Sequence, residues 1–161
     1  GLEIPFTGRS KIFSKSPEIG EIVVFFPPHK PTVPYVKRVI AKGGDTINYL
    51  NKRLYINEEE YEHELIETYA FGEETAEILT ENNNKKEYPI RHIMQRNSTD
   101  IVDLIVPEGM YFVVGDNRDN SNDSRSWGFI TEESIWGRAD FIWLSWKSGE
   151  WPNFSRAGKV K

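Results

Sequence analysis

The chain has 161 residues and carries 20 basic against 25 acidic side chains, a formal net charge of −5 at pH 7. This length suits one domain with a sizeable core, or a core that carries an inserted subdomain. The acidic balance and the lack of a basic stripe argue against nucleic acid as the main partner. Because the sequence contains no cysteine, a disulfide framework and a cysteine-based zinc site are both excluded.

Aromatic residues make up 13% of the chain, and together with short β-branched runs they favour a mainly β fold with few short helices. The three histidines, His29, His63 and His92, lack the spacing of metal ligands, and we expect each to lie on the surface. The apolar run 22–26 is far shorter than the roughly 18 residues that a membrane-spanning helix needs. No metal, nucleotide or other cofactor motif is visible.

Short strands are predicted along the first third of the chain. The run 22–26 ends at two prolines, and a second strand covers 33–41. After a tight turn, residues 46–49 and 54–57 are typical of a hairpin. The acidic run 58–64 predicts a solvated face.

The middle of the chain has weak periodicity and no chemical motif. We therefore predict that 48–104 form an inserted β-rich subdomain, and that 1–47 plus 105–161 form the core domain. The small core of the insertion is predicted to include four apolar side chains: Tyr61, Tyr69, Ile93 and Met94.

The last part of the chain alternates strands with a long polar loop. A strand at 110–114 precedes the loop at 115–128, and 131–135 carry the signature of one helical turn. Gly137 is expected to end that turn. A last strand is predicted at 139–146.

The second strand carries two cations among apolar residues. Period-two alternation puts Lys37 on one face and Arg38 on the other. Arg38 needs a carboxylate if it is buried, whereas an apolar site can lower the pKa of a lysine from about 10.4 by several units. Lys37 is therefore a candidate general base. The alternative is an edge-strand lysine that discourages aggregation.

The polar loop 115–128 is either a solvated surface loop or a satisfied polar network. Its Asn, Asp and Ser side chains bond their own backbone and resist regular ladders. Two closely spaced pairs, Asp116 with Arg118 and Asp123 with Arg125, predict a loop that holds its own shape by charge-assisted hydrogen bonds.

The serines of this loop, with Lys37, suggest a Ser–Lys catalytic arrangement. In that scheme a neutral lysine removes the hydroxyl proton of a nucleophilic serine, and a second hydroxyl orients the amine. Ser121 and Ser124 are available as the second hydroxyl. Local spacing supplies the lysine and the orienting hydroxyl, but it does not supply the nucleophile.

Three blocks of the sequence resemble bacterial type I signal peptidases, also called leader peptidases. The blocks are Gly-Glu-Ile-Val-Val-Phe at 20–25, Tyr-Val-Lys-Arg-Val-Ile at 35–40 with Gly-Gly-Asp at 43–45, and the polar loop 115–128. The resemblance covers most of 1–47 and 105–156. It implies coiled antiparallel β-sheets of the type shared by signal peptidases and LexA-like repressors.

The resemblance also implies an activity and roles. The protein would be a serine endopeptidase that removes N-terminal signal peptides from secreted pre-proteins. It would act at the bacterial plasma membrane, with its catalytic domain on the extracytoplasmic face. Lys37 would be the general base, and Ser121 would orient its amine. The supporting residues would be two ion pairs, Arg38 with Asp116 and Asp123 with Arg125.

A substrate site is implied as well. Pro34, Tyr35 and Val36 would lie beside an extended peptide that adds as a strand. Shallow apolar pockets would accept only small side chains, which gives the Ala-x-Ala preference.

The sequence departs from the family pattern at the nucleophile. In the family, the nucleophile lies in a Ser-x-Ser-Met-x-Pro-Thr block upstream of the strand at 20–25, and this sequence has no such block. Ser10, Ser14 and Ser16 lie in a lysine-rich loop without the motif, so we assign them no role. We expect a truncated chain or proteolytic fragment that lacks the nucleophile and the N-terminal membrane anchor and is inactive alone. A naturally inactive relative is the alternative.

Two other functions stay open. The first is another Ser–Lys protease, such as a self-cleaving repressor, although the tryptophan-rich tail and the complete polar loop argue against it. The second is a non-catalytic β module that binds peptides or another protein. Its only support is the missing nucleophile.

Overall fold

A computed structural model of the chain describes residues 15–139, 141–142 and 158–159. The described part is built from short strands, with one helical segment, α1 (Ser124–Trp127), and two 3-10 turns, Arg118–Asn120 and Glu132–Ser134. The strands in chain order are β1 (Ile22–Phe25), β2 (Tyr35–Lys42), β3 (Thr46–Leu50), β4 (Arg53–Ile56), β5 (Glu59–Glu60), β6 (Glu62–Phe71), β7 (Glu74–Asn82), β8 (Glu87–Ile93), β9 (Ile101–Ile105), β10 (Met110–Val114), β11 (Ile130–Thr131), β12 (Ile135–Arg138), β13 (Phe141–Ile142) and β14 (Gly158–Lys159). Every pairing between these strands is antiparallel, which confirms the predicted mainly β fold.

A five-stranded sheet in the order β11-β10-β2-β1-β12 forms the base of the site. β2 lies at its centre, paired with β1 on one edge and β10 on the other. The strand begins at Tyr35, two residues later than predicted. Its central place explains why the stretch Val39 to Ala41 is apolar and fully buried.

β2 and β10 are covered on both faces. Val39 and Val113 belong to one buried cluster, whereas Ile40 and Phe112 belong to the other. The register between β10 and β2 shifts between Phe112 and Val113, so Ile40 and Ala41 both enter the second cluster. Such a bulge bends the strand locally. Burial on both faces fixes the strand that carries Lys37 on a rigid support.

Two smaller sheets follow the tight turn after β2. A four-stranded sheet has the order β5-β4-β3-β9, and its β3–β4 hairpin confirms the one predicted from the sequence. Asn51 and Lys52 form the two-residue loop with φ of 50° and 66°, the geometry that suits a strand-twisted hairpin. A three-stranded sheet has the order β6-β7-β8. The division into a core domain and an insertion at 48–104 stays a prediction.

Four apolar side chains were expected in a small core within the insertion. Ile93 is buried, as predicted, whereas Tyr61 is buried in a cluster that it shares with Ile40 and Phe112 and not in a separate core of the insertion. For Tyr69 and Met94 the prediction is wrong, since they are 40% and 57% exposed. Tyr69 lies on β6, an edge strand of its sheet, and Met94 follows the end of β8.

The end of the described chain contains a strand that was not predicted, β12 (Ile135–Arg138). Residues Glu132–Ser134 form a helical turn as expected, of the 3-10 type. Gly137 does not end it, because it lies inside β12 opposite Val24 of β1. Of the predicted strand 139–146, Phe141–Ile142 is a strand, and residues 140 and 143–146 lie outside the described residues. Across the ranges that the structure covers, no helix combines the length and the apolar character needed to cross a bilayer.

Candidate active site

Lys37 projects from β2 toward the polar loop. Its Nζ donates a hydrogen bond of 2.8 Å to Ser121 Oγ, and it lies 5.8 Å from the centre of the Tyr35 ring. Burial lowers the pKa of Lys37, with Arg125 adding to the effect and the carboxylates of Asp123 and Asp116 opposing it. The structure therefore joins a lysine that gives up its proton more easily than usual to a hydroxyl that fixes its direction.

The carboxylate of Asp123 holds the loop in one shape. It is fully buried and accepts hydrogen bonds from the Gly115 backbone N–H at 3.0 Å and from Arg125 Nε at 2.8 Å. Burial alone would raise the pKa of Asp123. The hydrogen bond and positive charge of Arg125, together with the hydrogen bond from the Gly115 N–H, outweigh burial and lower this pKa. The predicted contact between Asp123 and Arg125 is present.

The loop is also tied to its neighbours on either side. The Val113 N–H of β10 donates to Ser124 Oγ at 3.0 Å, which anchors the start of α1. Arg125 donates from Nη2 to the Arg118 carbonyl at 2.6 Å and from Nη1 to the Tyr49 hydroxyl at 3.3 Å. These bonds connect the end of the loop back to its middle.

Gly115 provides the space in which Ser121 meets Lys37. A Cβ at this position would overlap Ser121 Oγ and would lie 3.2 Å from Lys37 Nζ. The requirement here is room for the serine and the lysine. The sequence alone could not give this reason, because it depends on the approach of two distant segments.

Arg38 forms an ion pair with Asp116, the carboxylate partner that a buried arginine requires. Its Nε and Nη2 bond the two oxygens of Asp116 at 2.9 and 2.8 Å, and Nη1 donates to the Gly20 carbonyl at 2.8 Å. The guanidinium carbon lies 3.8 Å from the centre of the Tyr88 ring. Arg38 is only 3% exposed, so this paired, two-pronged geometry offsets the cost of burying its charge.

The predicted pairing of Asp116 with Arg118 is wrong. Arg118 turns the other way, into the three-stranded sheet, where its Nη1 and Nη2 bond Glu81 at 2.8 and 2.5 Å. Asp116 is already engaged by Arg38. Spacing along the loop could not show this, because the partner belongs to a strand 37 residues earlier.

Glu81 and Tyr88 are the residues that sequence reasoning missed. Glu81 is fully buried on β7, and the Tyr88 hydroxyl donates to it at 2.9 Å. Burial favours the neutral acid, but the charge of Arg118 and the bonds from His63 and Arg118 lower the pKa of Glu81 to about 2. The sequence carried no signal for this site, since its middle showed only weak periodicity.

The predicted surface positions of His63 and His92 are wrong. His92 is buried, its ring lies 5.7 Å from that of His63, and His63 Nε2 is 3.0 Å from Glu81 Oε2. His29 is exposed, as predicted. Within the residues that the structure describes, no group of three or more acidic or histidine side chains could hold a metal ion.

Among the described residues, the start of β2 has a free edge beside the lysine. Pairing with β1 extends from Arg38 to Tyr35, whereas pairing with β10 begins only at Arg38. Among the described strands, none pairs with the second edge of residues 35–37. Pro34 and Val36 are exposed here, Val36 by 55%, and Tyr35 is half-buried. The edge and the lysine thus lie together.

Comparison with known proteins identifies the family to which the chain belongs. The family model described as signal peptidase, peptidase S26, matches residues 7–146. Signal peptidase I of Pseudomonas fluorescens is 37% identical across 100% of this chain, and signal peptidase I of Rickettsia massiliae is 39% identical across 90%. The chain covers 62% and 58% of the length of these two relatives.

A solved structure is also similar. The crystal structure of a signal peptidase I from Enterococcus faecalis V583 is 30% identical, with 77% of this chain and 97% of that chain aligned and a TM-score of 0.48. On the family match and the identities above, the chain belongs to the signal peptidase family, peptidase S26.

Proposed function

We propose that the protein from which this chain comes is a signal peptidase I that cleaves signal peptides from secreted pre-proteins with a Ser/Lys dyad. The observation that carries the proposal is the hydrogen bond from Lys37 Nζ to Ser121 Oγ, made by a lysine whose pKa burial lowers. Family membership supplies the substrate class. Arg38, Asp116, Asp123 and Arg125 support the pair.

In the proposed reaction, Lys37 acts as the base in its neutral form. The nucleophile is the serine of the family's Ser-x-Ser-Met-x-Pro-Thr motif, which this sequence does not contain. Its hydroxyl proton moves to Nζ while its oxygen attacks the carbonyl carbon of the scissile bond. The leaving amine then takes the proton from Nζ, and an acyl-enzyme remains. Lys37 repeats the transfer with water, which releases the acyl group.

The substrate lies as an extended strand along Pro34, Tyr35 and Val36. The free edge of β2 supplies backbone groups, and alternate side chains of the peptide point toward the protein. The exposed Val36 gives this edge an apolar surface. Small residues at the first and third positions, as in Ala-x-Ala, suit a shallow apolar site of this kind.

The cellular setting follows from the substrate. Signal peptides emerge at the membrane, so we propose that the full-length protein acts at the bacterial plasma membrane with its catalytic domain outside the cytoplasm. An N-terminal anchor belongs to this proposal. Neither the reaction nor the partner set includes nucleic acid or a cofactor.

Cleavage of a pre-protein by the full-length protein tests the proposal. The substrate carries Ala at −3 and −1, and the variants are Lys37→Ala, Lys37→Arg and Lys42→Ala. Lys42 is the matched control, because it is an exposed lysine at the other end of β2. We expect the two Lys37 variants to lose about 10³-fold or more in kcat/KM, since general-base catalysis contributes this much and arginine stays charged. Lys42→Ala should retain activity.

Two results would contradict the proposal. One is full cleavage by Lys37→Ala with an unchanged melting temperature. The other is a wild-type protein that binds the pre-protein and never cleaves it, the behaviour of a non-catalytic peptide-binding module.

A further inference from the structure

We propose that Glu81 and Tyr88 of the three-stranded sheet are positioning residues for the Lys37–Ser121 pair. This sheet is thereby a working part of the active site. The inference rests on the proposed function, because it concerns how the same lysine is aimed. Neither residue touches Lys37, so both act through the polar loop.

The first link is the ion pair between Glu81 and Arg118. The two side chains are 0% and 1% exposed and share two hydrogen bonds, at 2.5 and 2.8 Å. Arg118 begins the 3-10 turn Arg118–Asn120, and Ser121 is the next residue. A buried arginine that lost its carboxylate would move toward water or another partner. Glu81 therefore fixes the turn from which Ser121 projects.

The second link is Tyr88, which joins two ion pairs. Its hydroxyl donates to Glu81 Oε1 at 2.9 Å, and its ring faces the Arg38 guanidinium at 3.8 Å. Arg38 in turn holds Asp116, next to Gly115. One tyrosine thus supports the beginning of the loop through Arg38 and its middle through Glu81.

The third link is made by the backbone of β8. The Arg91 N–H donates to the Asp116 carbonyl at 2.8 Å, and the Ile93 N–H donates to Asp119 Oδ2 at 2.6 Å. Lys52 adds an ion pair to the same Asp119 oxygen at 2.8 Å. The loop between Asp116 and Asp119 therefore lies along β8 as though it were part of the sheet.

Loss of these supports has a defined effect on the lysine. When the turn at Arg118 shifts, Ser121 no longer stays at 2.8 Å from Nζ, and water gains access to the amine. Burial is the main cause of the lowered Lys37 pKa, while Arg125 also lowers it and Asp123 and Asp116 raise it. Hydration therefore returns the pKa toward its ordinary value. The edge at residues 35–37 is held by β1 and is expected to stay in place.

The test measures kcat, KM and the pH profile of kcat/KM for Glu81→Gln and Tyr88→Phe in the full-length protein. Glu64→Gln is the matched control, since Glu64 is an exposed acid on the adjacent strand β6. We expect kcat to fall about tenfold or more for Glu81→Gln and by less for Tyr88→Phe, with KM within about twofold of wild type. The acidic limb of the profile should move to higher pH in both variants. Glu64→Gln should match wild type.

Stability measurements separate positioning from folding. Thermal unfolding and titration of active sites give the folded fraction of each variant. If kcat per folded site and the acidic limb match wild type in Tyr88→Phe, the inference is overturned. The inference is also overturned if Glu64→Gln changes kcat per folded site and the acidic limb of the pH profile as much as Glu81→Gln does. Should Glu81→Gln fail to fold, Tyr88→Phe decides. This variant removes only the hydroxyl bond to Glu81 and keeps both the Glu81–Arg118 ion pair and the aromatic ring, so it is expected to fold.

The Lys37→Ala variant distinguishes this inference from the proposed function. Activity retained by Lys37→Ala refutes the catalytic lysine, whatever Glu81 does. An inactive Lys37→Ala beside an unaltered Tyr88→Phe and Glu81→Gln refutes only the positioning role.

Discussion

Lys37 and Ser121 lie 84 positions apart in the sequence, yet the lysine Nζ donates a hydrogen bond of 2.8 Å to the serine Oγ. The contact requires β2 and the polar loop to meet with little tolerance.

The first prediction concerns pH. Burial lowers the pKa of Lys37, so the neutral amine becomes available below the ordinary lysine pKa of about 10.4. Because the neutral form is the base, kcat/KM of the full-length protein should rise with pH through this lowered pKa. Rates from pH 6 to 10 on a pre-protein substrate measure the limb. A flat profile from pH 6 to 9 would count against lysine as the base.

The second prediction concerns the orienting hydroxyl. Ser121→Ala removes the acceptor for Lys37 Nζ and leaves the backbone unchanged, so the amine loses its fixed direction. We expect kcat to fall about 10²-fold, the cost of misplacing a catalytic group, with a melting temperature close to wild type. Ser126→Ala is the control, because Ser126 is an exposed serine of the same loop. Equal activity of the two variants would refute the role of Ser121.

The third prediction concerns space. In Gly115→Ala, the new methyl group overlaps Ser121 Oγ and crowds Lys37 Nζ. The serine must shift, and we expect a loss of kcat at least as large as that of Ser121→Ala. Asn122→Ala, an exposed change in the same loop, should leave kcat unaltered. A fully active Gly115→Ala enzyme would mean that the serine contact does not matter.

The fourth prediction compares two ion pairs. Asp116→Ala leaves the Arg38 guanidinium, 3% exposed, without its carboxylate; because Asp116 itself is 36% exposed, we expect the free energy of unfolding to fall by about 2 kcal/mol. Glu60→Ala breaks the ion pair with Arg53, in which Arg53 is 47% and Glu60 41% exposed. This change should lower the free energy of unfolding by less than about 1 kcal/mol. Urea denaturation of both variants measures the difference. Similar losses of stability in the two variants would contradict the larger contribution expected of the Arg38–Asp116 pair.

The fifth prediction concerns stability in mild acid. Burial lowers the pKa of His92 to about 4, with the charge of Arg118 adding to the effect. Between pH 6.5 and 4 the unfolded chain therefore binds more protons at this position than the folded one. As the pH is lowered from 6.5 to 4, the free energy of unfolding should therefore decrease, by at most about 1.4 kcal/mol per pH unit.

Denaturation curves of His92→Gln at several pH values test this directly. The variant should lose the His92 share of the slope, whereas His29→Gln, at an exposed histidine, should keep it. An identical slope in His92→Gln and wild type would show that His92 does not titrate differently on unfolding.

The sequence predicts β1 to β4, β10 and the polar loop because their signals are local, whereas it gave no strand for β6 to β9. Alternation identifies β2 and its two cations, and the density of Asn, Asp and Ser identifies a structured polar loop. A charge that must be buried demands a partner, and the resemblance to the family named Asp116 for Arg38. Each of these arguments uses residues that are neighbours in the chain or belong to a quoted motif.

The support for that loop could not be predicted in the same way. Whether Glu81 faces Arg118 depends on the register of β7 against its neighbours and on how the three-stranded sheet lies against the loop. A one-residue shift in register would point Glu81 to the opposite face. The buried histidines were missed for this reason as well, since a strand seen alone does not reveal which face is covered.

The open edge at the start of β2 also sets a length. Residues 35–37 span about 10 Å of extended chain, because a strand rises about 3.3 Å per residue. Under the proposed function, a peptide laid on this edge is read over three consecutive positions before β10 closes the sheet at Arg38. The motif Ala-x-Ala likewise occupies the three positions that end at the bond to be cut. The protein would measure its cleavage distance with the length of one short edge.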